Sequence, residues 1–316
     1  MFIAPRREYS VPLRTGTLAL GSRTAIMGIV NVTPDSFSDG GKFKSIETAV
    51  SHALQLEKDG ADIIDIGGES TRPGAESVDA RVEMDRVIPV IREVARTSRI
   101  PISIDTAKSA VARAAVEAGA CIVNDITALR GDPGMVRVIA DSGAAVVVMH
   151  MQGVPRTMQV NPVYTDVVAE VVSFLRERKE SFLAEAGQAC GGECVAAPVA
   201  PAREETAQRA FSSRVVVDPG IGFGKTTAHN LEILARLDEF AAIGCPVLIG
   251  TSRKSFLGHV LGLPVDDRVE GTAASVAAAI FGGAHILRVH DVLQMRRVAD
   301  VCDAIRSRVE TVPAAS

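Results

Sequence analysis

Short apolar segments alternate with longer amphipathic segments along almost the whole chain. The stretch Gly60 to Ala75, GADIIDIGGESTRPGA, shows the recurring unit: an apolar run over residues 62–66, a break at Gly67 and Gly68, and then a polar loop. A β-rich apolar run bounded by glycine is typical of a parallel strand that is covered on both faces. Eight such segments predict strands at residues 24–30, 62–66, 101–105, 120–125, 144–150, 214–220, 246–250 and 285–291.

Helical periodicity recurs between these strands. Strands that alternate with helices predict right-handed βαβ units and a parallel sheet. Eight such units in one domain of this size close most simply into a single-domain (β/α)8 TIM barrel. An open, doubly wound sheet is the alternative that the pattern leaves. The predicted helices cover residues 45–60, 77–97, 106–118, 133–141, 165–186, 227–240, 270–281 and a last segment that ends at about 309.

The pattern also suggests a division of the chain. Residues 1–23 form a short N-terminal segment, and residues 24–316 are assigned to the barrel. One stretch inside the barrel region, residues 187–213, is rich in Ala, Pro and Gly and shows no clean period. It is longer than a usual connection between a helix and a strand, so we expect an exposed insertion there.

Composition and charge remove several classes of function. The 316 residues are 47% hydrophobic and carry a net charge of −4, and without a basic stripe we expect no nucleic-acid partner. No apolar run reaches the roughly 18 residues of a spanning helix, so we expect no membrane partner. The N-terminus lacks the apolar core of a secretory signal, and an odd number of cysteines favours reduced thiols in a cytoplasmic protein.

The predicted strands end in polar residues, and active sites form at the carboxyl ends of barrel strands. The joints from helix to strand, by contrast, are mostly Gly, Ala and Cys. Asp105, Asn124 and Asp218 suit a flat heterocycle with an amidine-like edge, because a carboxylate can accept paired N–H bonds. A cationic group, together with the hydroxyls of Ser70 and Thr71, suits phosphate. An acceptor-rich pocket beside a cationic mouth predicts a substrate that joins a heterocycle to a phosphate. The cationic group is Arg72, Arg253, Lys254, Arg288 and His290.

Ordinary structural roles are open to the same residues. Asp105 precedes Thr106 and could cap the next helix. We expect Asp65 and Asp125 to orient neighbouring loops, and His150 could pack under its own loop. The cationic residues could form exposed salt bridges, although two pairs at successive strand ends favour a shared site.

Two segments imitate known motifs without matching them. GIGFGKTT (220–227) resembles a phosphate-binding P-loop, but the spacing requires Gly where the chain has Pro219. Its glycines still leave room for a flat ligand against the backbone. CGGEC (190–194) has no second Cys or His pair nearby, so a zinc site there is poorly supported.

Eight segments, in order, resemble the dihydropteroate synthase family, and the likeness extends from Thr24 to about Val309. The family has the barrel fold. The one departure is the stretch 187–213, which is longer than we expect for the family and lies outside the motifs. The matching segments are NVTPDSFSDGG (31–41), DIIDIGGESTRPGA (62–75), SIDT (103–106), VND (123–125), MHMQGVPRTMQ (149–159), DPGIGFGK (218–225), TSRKSFLG (251–258) and RVHD (288–291).

The resemblance implies an activity and a set of site residues. It implies that 4-aminobenzoate condenses with (7,8-dihydropterin-6-yl)methyl diphosphate in folate biosynthesis, that Mg2+ takes part, that sulfonamides inhibit, and that a homodimer forms through the later helices. Asn31 is similar to the ligand of magnesium and diphosphate, and Lys254, Asp105 and Asp218 to the catalytic residues. The substrate residues that it implies are Asp105, Asn124, Asp218 and Lys254 for the pterin, Ser70, Arg72, Arg288 and His290 for the diphosphate, and Phe37, Thr71, Pro73 and Ser252 for the aminobenzoate.

The chemistry implied by the resemblance requires positioning more than a strong general base, since the arylamine is a neutral, weak nucleophile. We expect Mg2+, Arg288 and His290 to stabilise the departing diphosphate. Two alternatives stay open. One is a pterin-binding methyltransferase of the corrinoid kind, which we expect to lack the NVTPDSFSDGG, SRKS and RVHD segments. The other is a paralogue that binds pterin without turnover.

Overall fold

The computed structural model describes residues 3–33, 41–70, 74–191 and 208–310. A hairpin comes first, and helices then alternate with the strands of a barrel. The strands are β1 (Tyr9–Leu13), β2 (Gly16–Leu20), β3 (Ala25–Asn31), β4 (Ile63–Gly67), β5 (Ile102–Asp105), β6 (Ile122–Asp125), β7 (Ala145–Met149), β8 (Val215–Asp218), β9 (Leu248–Ile249) and β10 (Ile286–Val289). The helices are α1 (Gly41–Lys58), α2 (Ala80–Thr97), α3 (Ser109–Ala118), α4 (Met135–Ser142), α5 (Val167–Gly191), α6 (Thr227–Ala235), a 3-10 turn (Leu237–Ile243), α7 (Ser255–Leu261), α8 (Val269–Phe281) and α9 (Val292–Glu310).

Strands β3 to β10 form one parallel sheet that curls into a barrel. Its order is β8-β7-β6-β5-β4-β3-β10-β9. The two ends of this order meet where Val217 pairs in parallel with Val247, and the Val217 N–H donates to the carbonyl of Pro246 at 3.0 Å. The (β/α)8 prediction is therefore confirmed, and the open doubly wound sheet is excluded.

Strand β9 is much shorter than its sequence pattern suggested. The apolar run predicted a strand over residues 246–250, but only Leu248 and Ile249 form the ladder with β10. Pro246 has no N–H to donate, so it accepts a hydrogen bond from β8 without continuing a regular ladder. The barrel is consequently closed by a single bridge on this side.

The N-terminal segment is a hairpin that covers the bottom of the barrel. β1 and β2 pair antiparallel, with Tyr9 opposite Leu20. Val11 and Leu20 are buried against the first residues of the barrel strands, among them Met27 and Ile63. The hairpin therefore occupies the amino-terminal end of the barrel, and the opposite end is left for the site.

The helices surround the barrel with their apolar faces inward. In α2, Asp79 accepts a hydrogen bond from the Arg81 amide at 2.8 Å and so caps the helix. Helix α5 continues to Gly191, five residues beyond the prediction, and it buries its inner face through apolar side chains such as Phe182 and Ala186. Residues 192–207 of the predicted insertion lie outside the described residues, and residues 208–212, near its end, are helical. Within the described ranges, the helices are all too short or too polar to cross a bilayer.

The hairpin offers a test of how the barrel is sealed. Val11 is 1% exposed, so Val11→Asp should place an unpaired carboxylate against the barrel floor and lower the free energy of unfolding by about 3 kcal/mol or more. Chemical denaturation measures this change. Ser10→Asp, on the exposed face of the same strand, is the matched control and should change stability by less than about 0.5 kcal/mol. Equal losses in both variants would show that the hairpin does not seal the core.

Candidate active site

Five polar side chains line one cavity at the carboxyl end of the barrel. Asp105 ends β5, Asn124 lies in β6, Asp218 ends β8, Arg288 lies in β10, and Lys254 immediately precedes α7. Parallel strands in a closed barrel bring these ends to one mouth. The cavity has about 360 Å³ of empty space, part of it open to solvent. The other lining residues are Ile126, Met149, Gly220, Ile221, Phe223 and Gly250.

Arg288 lies among the acids and not apart from them. Its Nε donates to Asp65 Oδ2 at 2.6 Å, and its Nη2 donates to Asp105 Oδ2 at 2.7 Å. The Asn124 amide donates to the same Asp65 oxygen at 3.3 Å. The predicted separation of an acceptor-rich pocket from a cationic mouth is therefore wrong for Arg288, because a buried pair of carboxylates needs a cation beside it.

The charges of this group depend on one another. Burial raises the pKa of Asp105, and the nearby Asp65 carboxylate adds to that rise, while Arg288 opposes it. Burial also disfavours the charged guanidinium, but Asp65 and Asp105 outweigh this effect and raise the pKa of Arg288. One guanidinium is thus shared by two acids, and Asp105 holds its proton more readily than an exposed aspartate.

Asp218 and Lys254 face the cavity from the other side. The Asp218 Oδ1 accepts a hydrogen bond from the Gly220 amide at 2.7 Å, and burial raises the pKa of this carboxyl group. The Lys254 ammonium lies 4.1 Å from the centre of the Phe223 ring. Burial and the neighbouring Arg288 lower the pKa of Lys254 to about 8, while Asp218 opposes the change. An ammonium group is thereby held beside an aromatic face and a carboxylate, ready to donate to a ring acceptor.

His290 pairs with Ser252 at the edge of the site. The Ser252 Oγ accepts from the His290 amide at 3.2 Å and lies 3.0 Å from the ring Nδ1. Its hydroxyl can donate to Nδ1 in the tautomer that carries the ring proton on Nε2. Burial and the neighbouring Arg288 lower the pKa of His290 to about 3. The prediction that His290 is a cation is wrong for the unliganded protein, where the imidazole is a neutral donor.

Arg253 does not belong to the cavity lining. Its backbone has φ of 59°, in the left-handed region that turns the chain between Ser252 and Lys254. Its guanidinium binds Asp291 at 2.6 and 3.1 Å, half exposed at the surface. The salt-bridge alternative therefore holds for Arg253, and the tight turn is what allows Lys254 to point inward.

Other predicted residues divide into those the structure describes and those it does not. Asn31 ends β3 in register with Gly67, and Ser70 lies three residues after the end of β4; both are partly buried. In the described parts of the chain, His, Cys, Asp and Glu side chains do not form a group of three suited to a metal. The positions that lie outside the described residues are Phe37, Thr71, Arg72 and Pro73.

The structural alternatives for single residues have clear outcomes. Asp125 accepts from the amides of Thr127 and Leu129, so it organises its own loop as expected. Asp105 does not cap a helix, because α3 begins at Ser109 with Lys108 at its N-cap position. Asp65 binds Arg288 and Asn124 and so orients the cavity floor rather than a loop.

Two glycines in residues 220–227 leave room for the backbone of the segment after β7. The prediction that they leave room for a flat ligand is therefore not met at these two positions. A Cβ on Gly220, whose φ is 70°, would lie 1.9 Å from the carbonyl oxygen of His150. A Cβ on Gly224 would lie 2.5 Å from the carbonyl oxygen of Gln152. These glycines let this turn pack against the segment after β7. The packed turn forms one wall of the cavity.

Sequence reasoning missed two lysines near the site, one partly buried and one fully buried. Lys108 donates to Glu83 at 2.5 Å and also binds Glu69, at the base of the loop that follows β4. Lys225 is 2% exposed and lies 2.8 Å from the His150 ring. The position of Lys225 inside the DPGIGFGK segment was a usable signal, but its three-dimensional partners could not be read from the sequence.

The cavity combines hydrogen-bond acceptors and donors with apolar walls in one space. The chain matches the family of pterin binding enzymes over residues 27–188 and 194–290. The fold, the cavity and this match together define a pterin-binding barrel.

Individual relatives show which family of pterin-binding enzymes the chain resembles. The chain is 43% identical over 295 residues to the dihydropteroate synthase of Bacillus subtilis, which covers 93% of each protein. It is also similar to a Yersinia pestis dihydropteroate synthase in complex with a sulfonamide drug (39% identity, TM-score 0.82, 94% of this chain and 99% of that one). A Xanthomonas albilineans dihydropteroate synthase with 4-aminobenzoic acid is 42% identical, with a TM-score of 0.77 over 94% of this chain and 96% of that one. The chain therefore belongs to the dihydropteroate synthase family, which are transferases of folate synthesis.

The shared guanidinium gives a stability test. Arg288→Met should lower the free energy of unfolding by about 3–5 kcal/mol at pH 8, because Asp65 and Asp105 lose their buried cation. The loss should shrink as the pH falls, since the pKa of Asp105 is raised in the folded state and its protonated form needs no counter-charge. Urea denaturation at pH 8 and pH 5.5 measures both values.

Two variants control for this interpretation. Arg253→Met removes the half-exposed pair with Asp291 and should cost less than about 1 kcal/mol. Asp65→Asn added to Arg288→Met should restore part of the lost stability. A loss in Arg288→Met that is independent of pH, and that Asp65→Asn does not relieve, would contradict the assignment.

Proposed function

We propose that this chain binds the dihydropterin diphosphate in the cavity and condenses it with 4-aminobenzoate, with the roles of individual residues as follows. The convergence of Asp105, Asn124, Asp218 and Lys254 on one cavity is the observation that carries the proposal. The Xanthomonas albilineans relative with 4-aminobenzoic acid supports the second substrate. Sulfonamides then act as competitors of the aminobenzoate, as the Yersinia pestis complex suggests.

The pterin is held by complementary donors and acceptors. The Asp218 and Asp105 carboxyl groups accept from the amino and ring N–H groups, and the Asn124 amide can serve as donor or acceptor. Lys254 donates to a ring acceptor, and this contact requires its protonated form. The apolar walls at Met149 and Phe223 cover the faces of the ring and exclude water, which strengthens each of these hydrogen bonds.

The diphosphate leaves toward the mouth of the barrel. His290 donates from Nε2, and Arg288 contributes positive charge from below while it holds the two acids in place. Ser252 fixes the ring of His290 through its hydroxyl group. In this proposal Ser252 also belongs to the aminobenzoate side of the site. Ser70 and Arg72 complete the diphosphate group, and Phe37, Thr71 and Pro73 belong to the aminobenzoate side.

The residues at this mouth offer Mg2+ few protein ligands. Asn31 offers a single amide oxygen, and such a ligand suits an ion that keeps several waters and binds mainly through substrate phosphates. When bound, Mg2+ supplies Lewis-acid stabilisation of the departing diphosphate. The protein residues then orient the arylamine and exclude water, and no residue forms a covalent bond to the substrate.

The deciding assay measures diphosphate release in the presence of 4-aminobenzoate, the dihydropterin diphosphate and Mg2+. The protein should form dihydropteroate and diphosphate in equal amounts. Pterin binding without product would favour the paralogue that does not turn over. Methyl transfer from a folate would favour the methyltransferase.

Lys254→Ala tests the pterin pocket within that assay. The variant should lose pterin affinity by about tenfold or more, because a hydrogen bond from a charged donor is removed, while thermal stability changes little since the residue lies in a loop. Lys179→Ala, whose ammonium donates to the Ile243 carbonyl at 3.0 Å far from the mouth, should retain activity. Unchanged turnover combined with a strongly lowered Tm in Lys254→Ala would show that the assignment is wrong.

The proposal includes a cytoplasmic homodimer. Cys121, Cys245 and Cys302 are buried and free, which suits a reducing compartment. Exposed apolar side chains recur along one face of α9, at spacings of four and eight residues, and such a stripe needs cover. The stripe consists of Leu293, Val301, Ile305 and Val309.

Charge on this stripe should separate the subunits. Val301→Glu together with Ile305→Glu places like charges where two copies meet, so the protein should become a monomer in sedimentation velocity experiments. Val82→Glu, at an exposed valine of α2 that is 43% accessible, should leave the dimer intact. A wild-type protein that sediments as a monomer at all concentrations would exclude this dimer.

A further inference from the structure

Lys225 is a buried lysine whose ammonium is surrounded by neutral acceptors. Its side chain is 2% exposed. The Nζ lies 2.8 Å from the Nδ1 of His150, and it donates to the carbonyl oxygens of Gly220 and Phe223 at 3.0 Å each. The His150 carbonyl oxygen is a more distant neighbour at 3.5 Å. A buried ammonium is costly without partners, so this arrangement needs a reason.

The geometry matches a protonated lysine to three acceptors. Burial and the adjacent Lys225 lower the pKa of His150 to about 2, so the imidazole is neutral and its Nδ1 can accept a hydrogen bond from the ammonium group. Burial lowers the pKa of Lys225 to about 7, although Asp218 opposes this change. A neutral amine would keep both carbonyl contacts and could accept from Nδ1–H of the other His150 tautomer. The same three contacts therefore survive in either protonation state.

Both carbonyls belong to the turn that shapes the pterin side of the cavity. The Gly220 amide donates to Asp218 Oδ1 at 2.7 Å, so fixing the Gly220 peptides fixes the direction of this carboxylate. The Phe223 ring lies under the Lys254 ammonium at 4.1 Å, so fixing the Phe223 backbone sets the position of that ring. Gly220 and Phe223 both line the cavity, whereas Lys225 does not.

We propose that Lys225, held in place by His150, is a positioning residue for the pterin subsite. It gathers the turn of residues 218–225 around its Nζ and thereby orients Asp218 and the Phe223–Lys254 pair, without contacting the substrate. This inference rests on the proposed function, because it assumes that the cavity takes a pterin. The family match and the strand-end residues do not assign Lys225 any such role.

Other contacts hold the same turn and should keep it folded when Lys225 is changed. The Gly222 amide donates to Asn230 Oδ1 at 2.7 Å, and the Tyr164 hydroxyl donates to the Gly224 carbonyl at 2.8 Å. The His150 amide also donates to the Asp218 carbonyl at 2.9 Å. Loss of Lys225 should therefore loosen the turn locally and leave the barrel intact.

Lys225→Met provides the direct test in the full-length protein. The dissociation constant of (7,8-dihydropterin-6-yl)methyl diphosphate, measured by calorimetry without 4-aminobenzoate, should rise about tenfold, the scale on which outer partners of binding groups act. The KM for 4-aminobenzoate should change less than about twofold, since the other substrate does not use this turn. Amide hydrogen exchange should accelerate at Gly220 and Phe223 and not at β5.

Lys179→Met is the matched control, because Lys179 also donates to a backbone carbonyl but lies away from the mouth. It should change neither the affinity nor the exchange of the turn. His150→Phe keeps the ring contact with Phe174, whose centre is 4.8 Å away, and removes the nitrogen. It should weaken pterin binding in the same direction as Lys225→Met, but less.

The outcomes separate this inference from the proposed function. If the wild-type protein does not bind the pterin diphosphate, the proposed function itself fails. If the wild type binds it and Lys225→Met binds equally well, or loses both substrates alike, the positioning role is overturned. Should Lys225→Met not fold, His150→Phe decides, and unchanged pterin affinity in that variant would overturn the inference.

Discussion

The guanidinium of Arg288 binds two carboxylates that precede it by 223 and 183 residues in the chain. Asp65 is fully buried, and a buried carboxylate without a cation would cost several kcal/mol. The contact is possible because β10 pairs with β3, and β3 pairs with β4, so that Arg288 faces Asp65 from two strands away. The buried acids are therefore neutralised only when β10 has paired with β3 in the barrel sheet.

The same guanidinium sets the charge of its neighbours. It contributes to the lowered pKa of Lys254 and to that of His290. An unliganded mouth with a neutral imidazole carries less repulsion among its cationic groups than one in which every base is charged. A dianionic substrate would reverse this effect, since negative charge at the mouth favours protonation of the same groups. Charge in this site is a property of the group and not of single residues.

Two lysines that do not line the cavity hold the segments beside it. Lys225 holds the turn behind Asp218, and Lys108 links Glu83 to Glu69 below the loop that follows β4. Lining residues outside the strands, such as Gly220 and Phe223, are held in place by contacts of this kind. Support of this kind keeps the lining residues rigid. A rigid site suits a reaction that depends on the positioning of two substrates.

The sequence by itself determined the eight strands, the barrel and the polar residues at the strand ends, because hydrophobic period and glycine breaks are local properties of the chain. The tertiary structure alone decided that Arg288 joins the acids, that His290 is neutral, that Arg253 turns away to Asp291, and that residues 9–20 seal the barrel floor. Each of these depends on burial and on distances between residues far apart in sequence. Such quantities do not exist until the strands have closed on one another.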